Sequence, residues 1–141
     1  MSKDFSNVLK EANLKVTPTR LAVLNVFSGD CRPINAEYIF EKLKAKKINL
    51  VTVYRTLSSF EKSDILKRVN LHKESIYYEL DDHHHHHIVC TECAEFEKFE
   101  GCISTNLSSF SKEILNKSKK FNMIKEHSFE FFGTCKKCLK K

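Results

Sequence analysis

The chain has 141 residues, a formal net charge of +6 and 41% hydrophobic residues. This length suits one ordinary domain or two small ones, and the positive charge favours an anionic partner such as nucleic acid. No apolar run approaches the roughly 18 residues that cross a membrane, and the N-terminal segment lacks the apolar core of a signal peptide. We therefore expect a cytoplasmic protein with no membrane partner.

Three amphipathic helices are predicted first. Residues 5–14 carry apolar side chains at helical spacing. The second helix is expected to begin at Pro18, with Thr17 as its N-cap, and to end at Gly29. Asn35 is the predicted N-cap of the third helix.

A fourth helix carries a face that suits DNA recognition. Asn49 is its predicted N-cap, and its buried stripe comprises Val53, Leu57 and Phe60. The opposite face carries short hydroxylated side chains and an arginine, with a tyrosine on the flank: Thr52, Tyr54, Arg55, Thr56 and Ser59. Arginine pairs with guanine in the major groove, and hydroxyl groups reach phosphates. An ordinary solvated helix face is the alternative interpretation.

Two strands are predicted next, at residues 65–71 and 75–81, because both stretches are rich in β-formers and alternate in polarity. A short turn joins them. Helices that end in a two-stranded hairpin form a winged helix, a relative of the helix-turn-helix.

The cysteines indicate a metal site rather than disulfides. Four of the six form two C-x-x-C pairs, and these are Cys90, Cys93, Cys135 and Cys138. In a reducing compartment, two matched pairs predict a closed, tetrahedral four-thiolate zinc site. Redox dithiols are the alternative. Because a closed site leaves no open position for chemistry, we expect no enzymatic activity.

Between the two cysteine pairs, the pattern predicts a helix and then an alternating strand near residues 123–135. A region of about 60 residues with so many phenylalanines can scarcely bury them alone. A homodimer would supply the missing cover, and its two-fold symmetry would place two recognition helices on adjacent DNA half-sites.

Five consecutive histidines precede the first cysteine pair. If this segment is extended, His85 and His87 share one side with Glu79 nearby, while His84 and His86 share the other. One strand would then supply two metal sites, and imidazole with carboxylate suits iron, zinc, manganese, cobalt or nickel. A loose polar tract with adventitious metal affinity is the alternative.

In this order, the motifs resemble the ferric uptake regulator family of metal-dependent repressors. The resemblance rests on "KVTPTRLAVL", "TVYRTLSSFEKSDIL", "HHHHHIVCTEC" and "FEFFGTCKKC" and covers nearly the whole chain. It implies an α+β protein, with an N-terminal winged helix-turn-helix DNA-binding domain over residues 1–82. A C-terminal α/β dimerisation domain with the four-cysteine zinc site would cover residues 83–141. The homodimer would bind a palindromic operator in double-stranded DNA when a regulatory metal is bound.

The resemblance also implies roles for single residues. The four paired cysteines would hold structural Zn²⁺. The matched ligands of the regulatory site, for which we expect Fe²⁺ first and Zn²⁺ or Mn²⁺ next, are Glu79, His85 and His87. A second site is matched by His84, His86 and His127, with Glu100 as the candidate acidic member. The predicted DNA-contacting residues are Lys15, Thr17, Arg20, Thr52, Tyr54 and Arg55.

Two positions depart from the family pattern. Pro33 stands where the family often has a histidine, and Lys98 stands where an acidic residue is common. We expect His72, in the hairpin turn, to supply the missing ligand of the DNA-binding domain, with Cys31 as the alternative. The rival functions are a metal-independent winged-helix regulator with structural zinc only, a histidine-rich metal storage protein, and a zinc hydrolase with an open zinc position.

Overall fold

The computed structural model describes residues 4–29, 32–71, 73–81, 85–100, 107–125 and 130–140. The chain divides into two compact units, Met1–Asp82 and His83–Lys141. Each unit contains helices and a three-stranded sheet, so the protein is α+β as predicted. Within the described residues, no helix is long and apolar enough to span a membrane.

Helices form the body of the first unit. They are α1 Phe5–Glu11, α2 Pro18–Ser28, α3 Ala36–Lys42 and α4 Leu50–Lys62, with a short 3-10 helix at Lys44–Lys46. The predicted caps are confirmed, because the side chains of Thr17, Asn35 and Asn49 each accept a hydrogen bond from the backbone N–H three positions later. Helix α1 ends at Glu11, earlier than the sequence pattern suggested.

The core of the first unit lies where these helices meet. The buried stripe predicted on α4 is confirmed, because Val53, Leu57 and Phe60 are all fully buried. Complete burial of one such side chain contributes roughly 1.5–3 kcal/mol. Thr56 corrects the prediction for the opposite face of α4. It is buried, and its hydroxyl donates to the carbonyl of Thr52 at 2.7 Å, so it does not face solvent.

The sheet of the first unit confirms the hairpin and adds a strand. Its strands are β1 Ile34–Asn35, β2 Leu66–Val69 and β3 Tyr77–Leu80, in the order β1-β3-β2 and antiparallel throughout. The pairing of β2 with β3 places Lys67 directly opposite Glu79. The sequence did not predict β1, whose two residues precede α3.

The second unit is built on the strand that carries the histidines. Its elements are β4 His85–Cys90, β5 Phe96–Glu100, α5 Leu107–Lys117, β6 Glu130–Gly133 and α6 Lys136–Leu139. Strand β4 is central, antiparallel to β5 and parallel to β6. The predicted extended conformation of the histidine segment is confirmed for residues 85–87, whereas β5 was not predicted.

Candidate metal centres and DNA-facing helix

The two C-x-x-C pairs meet in the second unit. The four sulfurs, of Cys90, Cys93, Cys135 and Cys138, all lie within 4.8 Å of one another. The sulfurs of Cys93 and Cys135 are 3.7 Å apart. A tetrahedral Zn²⁺ with Zn–S bonds of about 2.3 Å requires sulfurs about 3.8 Å apart. The cluster therefore has the spacing of a closed four-thiolate zinc site.

Backbone hydrogen bonds hold the two pairs together. After β4 the chain turns tightly, with Ala94 at a positive φ of 58° and its N–H donating to the carbonyl of Cys90 at 2.9 Å. The N–H of Thr91 donates to the carbonyl of Gly133 at 2.9 Å, which ties this turn to the end of β6. The N–H of Cys135 then donates to the sulfur of Cys90 at 3.3 Å.

Hydrogen bonds within the cluster shift the pKa values of two of the cysteines in opposite directions. Backbone N–H groups, first that of Cys135 and then that of Cys93, lower the pKa of Cys90 from 9.0 to about 6. Hydrogen bonds to the sulfurs of Cys93 and Cys135 raise the pKa of Cys138 to about 12. At neutral pH one thiolate is therefore ready for a cation, and binding of the ion must displace the protons that remain.

Three adjacent imidazoles of β4 are buried. His85, His86 and His87 have 7%, 4% and 4% of their surfaces exposed. The rings of His85 and His87 lie on one side of the strand, with centroids 4.8 Å apart and planes nearly perpendicular. His86 falls on the other side because side chains alternate along a strand. Such burial is atypical of a loose, solvated histidine tract, since an imidazole removed from water needs a polar partner or a metal.

Several predicted ligands fall outside the residues that the structure describes. They are His72 and its alternative Cys31, together with His84, His127 and the side chain of Glu100. Cys102, for which no role is predicted, also lies outside the described residues. Their roles stay predictions. The two departures from the family pattern are described: Pro33 is buried, and Lys98 is exposed opposite His87 in the sheet. Neither side chain offers the oxygen or imidazole ligand that the family pattern has there.

Glu79 lies in β3 of the first unit, and only 11% of its side chain is exposed. The Nζ atom of Lys67, on the neighbouring strand, lies 3.4 Å from Oε1 of Glu79 and 3.8 Å from Oδ1 of Asp81. A buried carboxylate in this position has the chemistry of a ligand for a hard or borderline divalent cation.

On α4, Tyr54 and Arg55 are both exposed, as a DNA-reading pair must be. The phenol of Tyr54 donates a hydrogen bond to the carboxylate of Glu37 on α3. This hydrogen bond is the main reason that the pKa of Tyr54 is raised above 10.0. Sequence reasoning missed Glu37, because no local pattern connects residues 17 positions apart.

Two predicted DNA contacts also have local structural roles. Thr17 uses its hydroxyl to cap α2, and Nη1 of Arg20 donates to the carbonyl of Lys15 at 2.8 Å. The exposed Lys15 therefore sits in a segment held by Arg20. Thr52 is half-buried, and its backbone N–H is bonded to Asn49. DNA contact by these residues stays a prediction.

The fold and these sites together define a winged-helix metalloregulator. The sequence model of the Ferric uptake regulator family matches residues 11–132. The ferric uptake regulation protein of Vibrio parahaemolyticus is 36% identical over 137 residues, which cover 94% of this chain and 88% of that protein. The chain therefore belongs to the ferric uptake regulator family.

Solved structures agree with that assignment. The ferric uptake regulator of Vibrio cholerae matches with a TM-score of 0.73 and 34% identity, covering 94% of this chain and 100% of that one. The regulator of Francisella tularensis, solved with iron, matches with a TM-score of 0.73 and 30% identity, covering 99% of both chains. These findings confirm the predicted family, the fold class and a metal-responsive, DNA-binding transcriptional regulator. Members of this family are transcription factors, and the expected lack of enzymatic activity stays a prediction.

Proposed function

We propose that this protein is a cytoplasmic, homodimeric repressor of metal-homeostasis genes that binds a palindromic operator when a regulatory ion is bound. The observation that carries the proposal is the pair of buried imidazoles, His85 and His87, on the strand that leads into a separate four-sulfur site. Strand β4 contributes ligands to two chemically different sets, and such sets suit two different tasks, because a closed thiolate site holds structure and an imidazole site exchanges ions.

The regulatory site proposed here joins Glu79 to His85 and His87. Only five residues separate Glu79 from His85 along the chain. Glu79 belongs to the first unit and the two histidines to the second, so an ion shared by all three would couple the units. Binding metal better in one arrangement shifts the population towards it. A coupling of about 1–3 kcal/mol is typical, and operator DNA must tighten metal binding by the same factor.

Iron is the proposed regulatory metal, with zinc and then manganese as the next candidates. Imidazole and carboxylate ligands accept all three, so ligand type alone does not separate them. The similarity to the Francisella tularensis regulator solved with iron supports Fe²⁺. His72 is proposed as a further ligand from the hairpin turn, in place of the family histidine that Pro33 replaces.

A second site is proposed on the other side of β4. His86 is buried there, and the remaining proposed ligands are His84, His127 and Glu100.

A second copy of the chain is proposed to cover the apolar surface of the second unit. The large apolar side chains exposed there include Phe99, Phe110, Ile114, Phe121, Met123 and Phe131. Phe121 is 69% exposed and Phe110 is 50% exposed. A homodimer would remove such surface from water and contribute roughly 25 cal/mol per Å² buried. Two-fold symmetry would place two copies of α4 on the two halves of a palindrome.

Helix α4 is proposed to enter the major groove. Arg55 would read a guanine, Tyr54 would contact the neighbouring base, and Thr52 would contact the backbone. Because Glu37 accepts a hydrogen bond from the Tyr54 phenol, it fixes the direction of that ring. The exposed Lys15, with Thr17 and Arg20 beside it, would reach the DNA next to α4.

The test begins with selection of duplexes from a random pool by the zinc-loaded protein, with and without Fe²⁺ under anaerobic conditions. Fluorescence anisotropy then gives the Kd of the selected operator for each variant. Arg55→Ala should weaken operator binding about 5- to 150-fold, because a bidentate base contact provides roughly 1–3 kcal/mol. Lys62→Ala is the matched control, since it removes a positive charge from the last turn of the same helix and should change Kd by less than about threefold.

Metal dependence separates the proposal from its rivals. Chelation of the regulatory ion should weaken operator binding at least about tenfold, the factor that a coupling of 1.4 kcal/mol gives. Equal operator binding with and without the ion would indicate a metal-independent regulator. A protein that selects no duplex, and for which Arg55→Ala changes nothing, would be a metal store.

A further inference from the structure

The carboxylate assigned to the regulatory site already has a cationic neighbour within its own sheet. Lys67 on β2 lies directly opposite Glu79 on β3, and Nζ of Lys67 is 3.4 Å from Oε1 of Glu79. The same Nζ atom is 3.8 Å from Oδ1 of Asp81. One ammonium group therefore lies within ion-pair distance of two carboxylates, that of Glu79 on β3 and that of Asp81, which directly follows β3.

We propose that Lys67 is a built-in counter-ion that competes with the regulatory metal for Glu79 and thereby sets the metal concentration at which the protein responds. The inference rests on the proposed function, because it requires Glu79 to be a metal ligand. Lys67 is not itself a ligand, since its ammonium group has no lone pair to donate.

Burial makes the competition effective. The side chains of Lys67 and Glu79 are 29% and 11% exposed, so solvent screens this pair less than a surface ion pair. A largely buried carboxylate is costly without a positive partner, and Lys67 supplies one before an ion arrives. A divalent ion at Glu79 would take over that role and would repel the ammonium group nearby.

Asp81 gives the displaced lysine a second partner. It is more exposed than Glu79, at 39%, and it is already within ion-pair distance of Lys67. The lysine stem is flexible, so a small movement towards Asp81 keeps the ammonium group paired. Lys67 therefore raises the Kd for the regulatory ion without preventing its binding. Asp81 lowers that Kd by accepting the lysine.

The test measures the affinity of the full-length, zinc-loaded protein for Mn²⁺, which is stable in air, by competition with a fluorescent chelator. Lys67→Met keeps the length of the stem and removes the charge, and it should tighten Mn²⁺ binding about three- to tenfold. Lys67→Arg keeps the charge and should stay within about twofold of the wild type. Lys44→Met is the matched control, because Lys44 also pairs with a glutamate in the first unit, Glu41, at 2.6 Å. It should leave the affinity unchanged.

Asp81→Asn provides a second, opposite readout. It removes the alternative partner of Lys67, so Mn²⁺ binding should weaken about threefold. In the Lys67→Met background the same change should have almost no effect, because no ammonium group remains to be accommodated. This double-mutant cycle measures the coupling itself and does not depend on the stability of one variant.

The outcomes distinguish this inference from the function on which it rests. One outcome would overturn the competition alone: Glu79→Gln no longer binds Mn²⁺, while Lys67→Met binds Mn²⁺ as tightly as the wild type or more weakly. The proposed regulatory site would then be retained. If the wild type binds no ion beyond its zinc, or if Glu79→Gln binds Mn²⁺ as well as the wild type, both the competition and the proposed site are overturned.

Discussion

The four-sulfur cluster and the histidine-carboxylate set differ in where their ligands come from. All four cysteines belong to the second unit, and their sulfurs already lie within 4.8 Å of one another. The proposed regulatory ligands are divided, with Glu79 in the first unit and His85 and His87 in the second. A site confined to one unit stabilises that unit. A site whose ligands come from two units can report on their arrangement, because its affinity depends on it.

The two ligand sets also differ in how tightly they bind a metal ion and how readily they exchange it. Thiolates in a closed tetrahedron hold Zn²⁺ tightly and leave no coordination position open. Imidazole and carboxylate ligands bind several divalent ions and exchange them more readily. The ammonium group of Lys67, which faces Glu79, further lowers the metal affinity of the histidine-carboxylate set. In the four-sulfur cluster, by contrast, backbone N–H groups favour the thiolate form of Cys90.

The largest effect is expected from Cys93→Ser, which removes one of the four sulfurs. Structural zinc provides roughly 10–16 kcal/mol of apparent binding free energy in small metal-dependent folds. Zinc content should fall from one ion per chain to nearly none. The melting temperature of the second unit should fall by more than about 10 °C, since 1 kcal/mol corresponds to roughly 4–8 °C in a small domain. Metal analysis and differential scanning calorimetry measure both.

Cys102→Ser is the control for that variant, because Cys102 lies outside both C-x-x-C pairs. It should keep one zinc per chain. A Cys93→Ser protein that retained its zinc and its melting temperature would show that the four sulfurs are not a structural site.

A smaller and more selective effect is expected from His87→Ala. His87 is buried beside His85 and belongs to no sulfur ligand set. Loss of a direct ligand should raise the Kd for the regulatory ion at least about 100-fold, beyond the 10- to 100-fold typical of changes in outer-shell partners. Zinc content should stay at one per chain. Chelator competition gives the Kd, and an unchanged value would remove His87 from the regulatory site.

The smallest effect is a change in proton release when the first equivalent of zinc binds the apo protein. Cys90, with a pKa of about 6, is a thiolate at pH 8 and a thiol at pH 5. Cys138, with a pKa of about 12, keeps its proton at both values until zinc binds. Proton release should therefore rise by about one per zinc between pH 8 and pH 5, so zinc affinity falls as the pH falls.

Titration calorimetry in two buffers of different ionisation enthalpy counts these protons at each pH. The same count at pH 8 and pH 5 in the wild-type protein would contradict the low pKa of Cys90.

Features that depend on neighbouring residues were predictable from the sequence. The caps at Thr17, Asn35 and Asn49 form within one helical turn, so a short stretch of sequence contains all their atoms. The meeting of the cysteine pairs was also predictable, because two matched pairs have few other uses in a reducing compartment.

Features that depend on distant partners were not predictable. Strand β1 has two residues and exists because Ile34 and Asn35 pair with β3. Strand β5, with the sequence FEKFE, is recognisable only through its pairing with β4. Thr56 was misplaced because a threonine hydroxyl can bond to the carbonyl four positions earlier and turn away from solvent.

The most direct test of the difference between the two sites is native mass spectrometry of the untagged protein, before and after mild chelation and then with Fe²⁺, Zn²⁺ or Mn²⁺ added back. The account predicts a dimer that keeps one zinc per chain through chelation and then takes up at least one further ion per chain. A protein that keeps its zinc but never binds another ion would contradict it, because the histidine-carboxylate set would then not be a metal site.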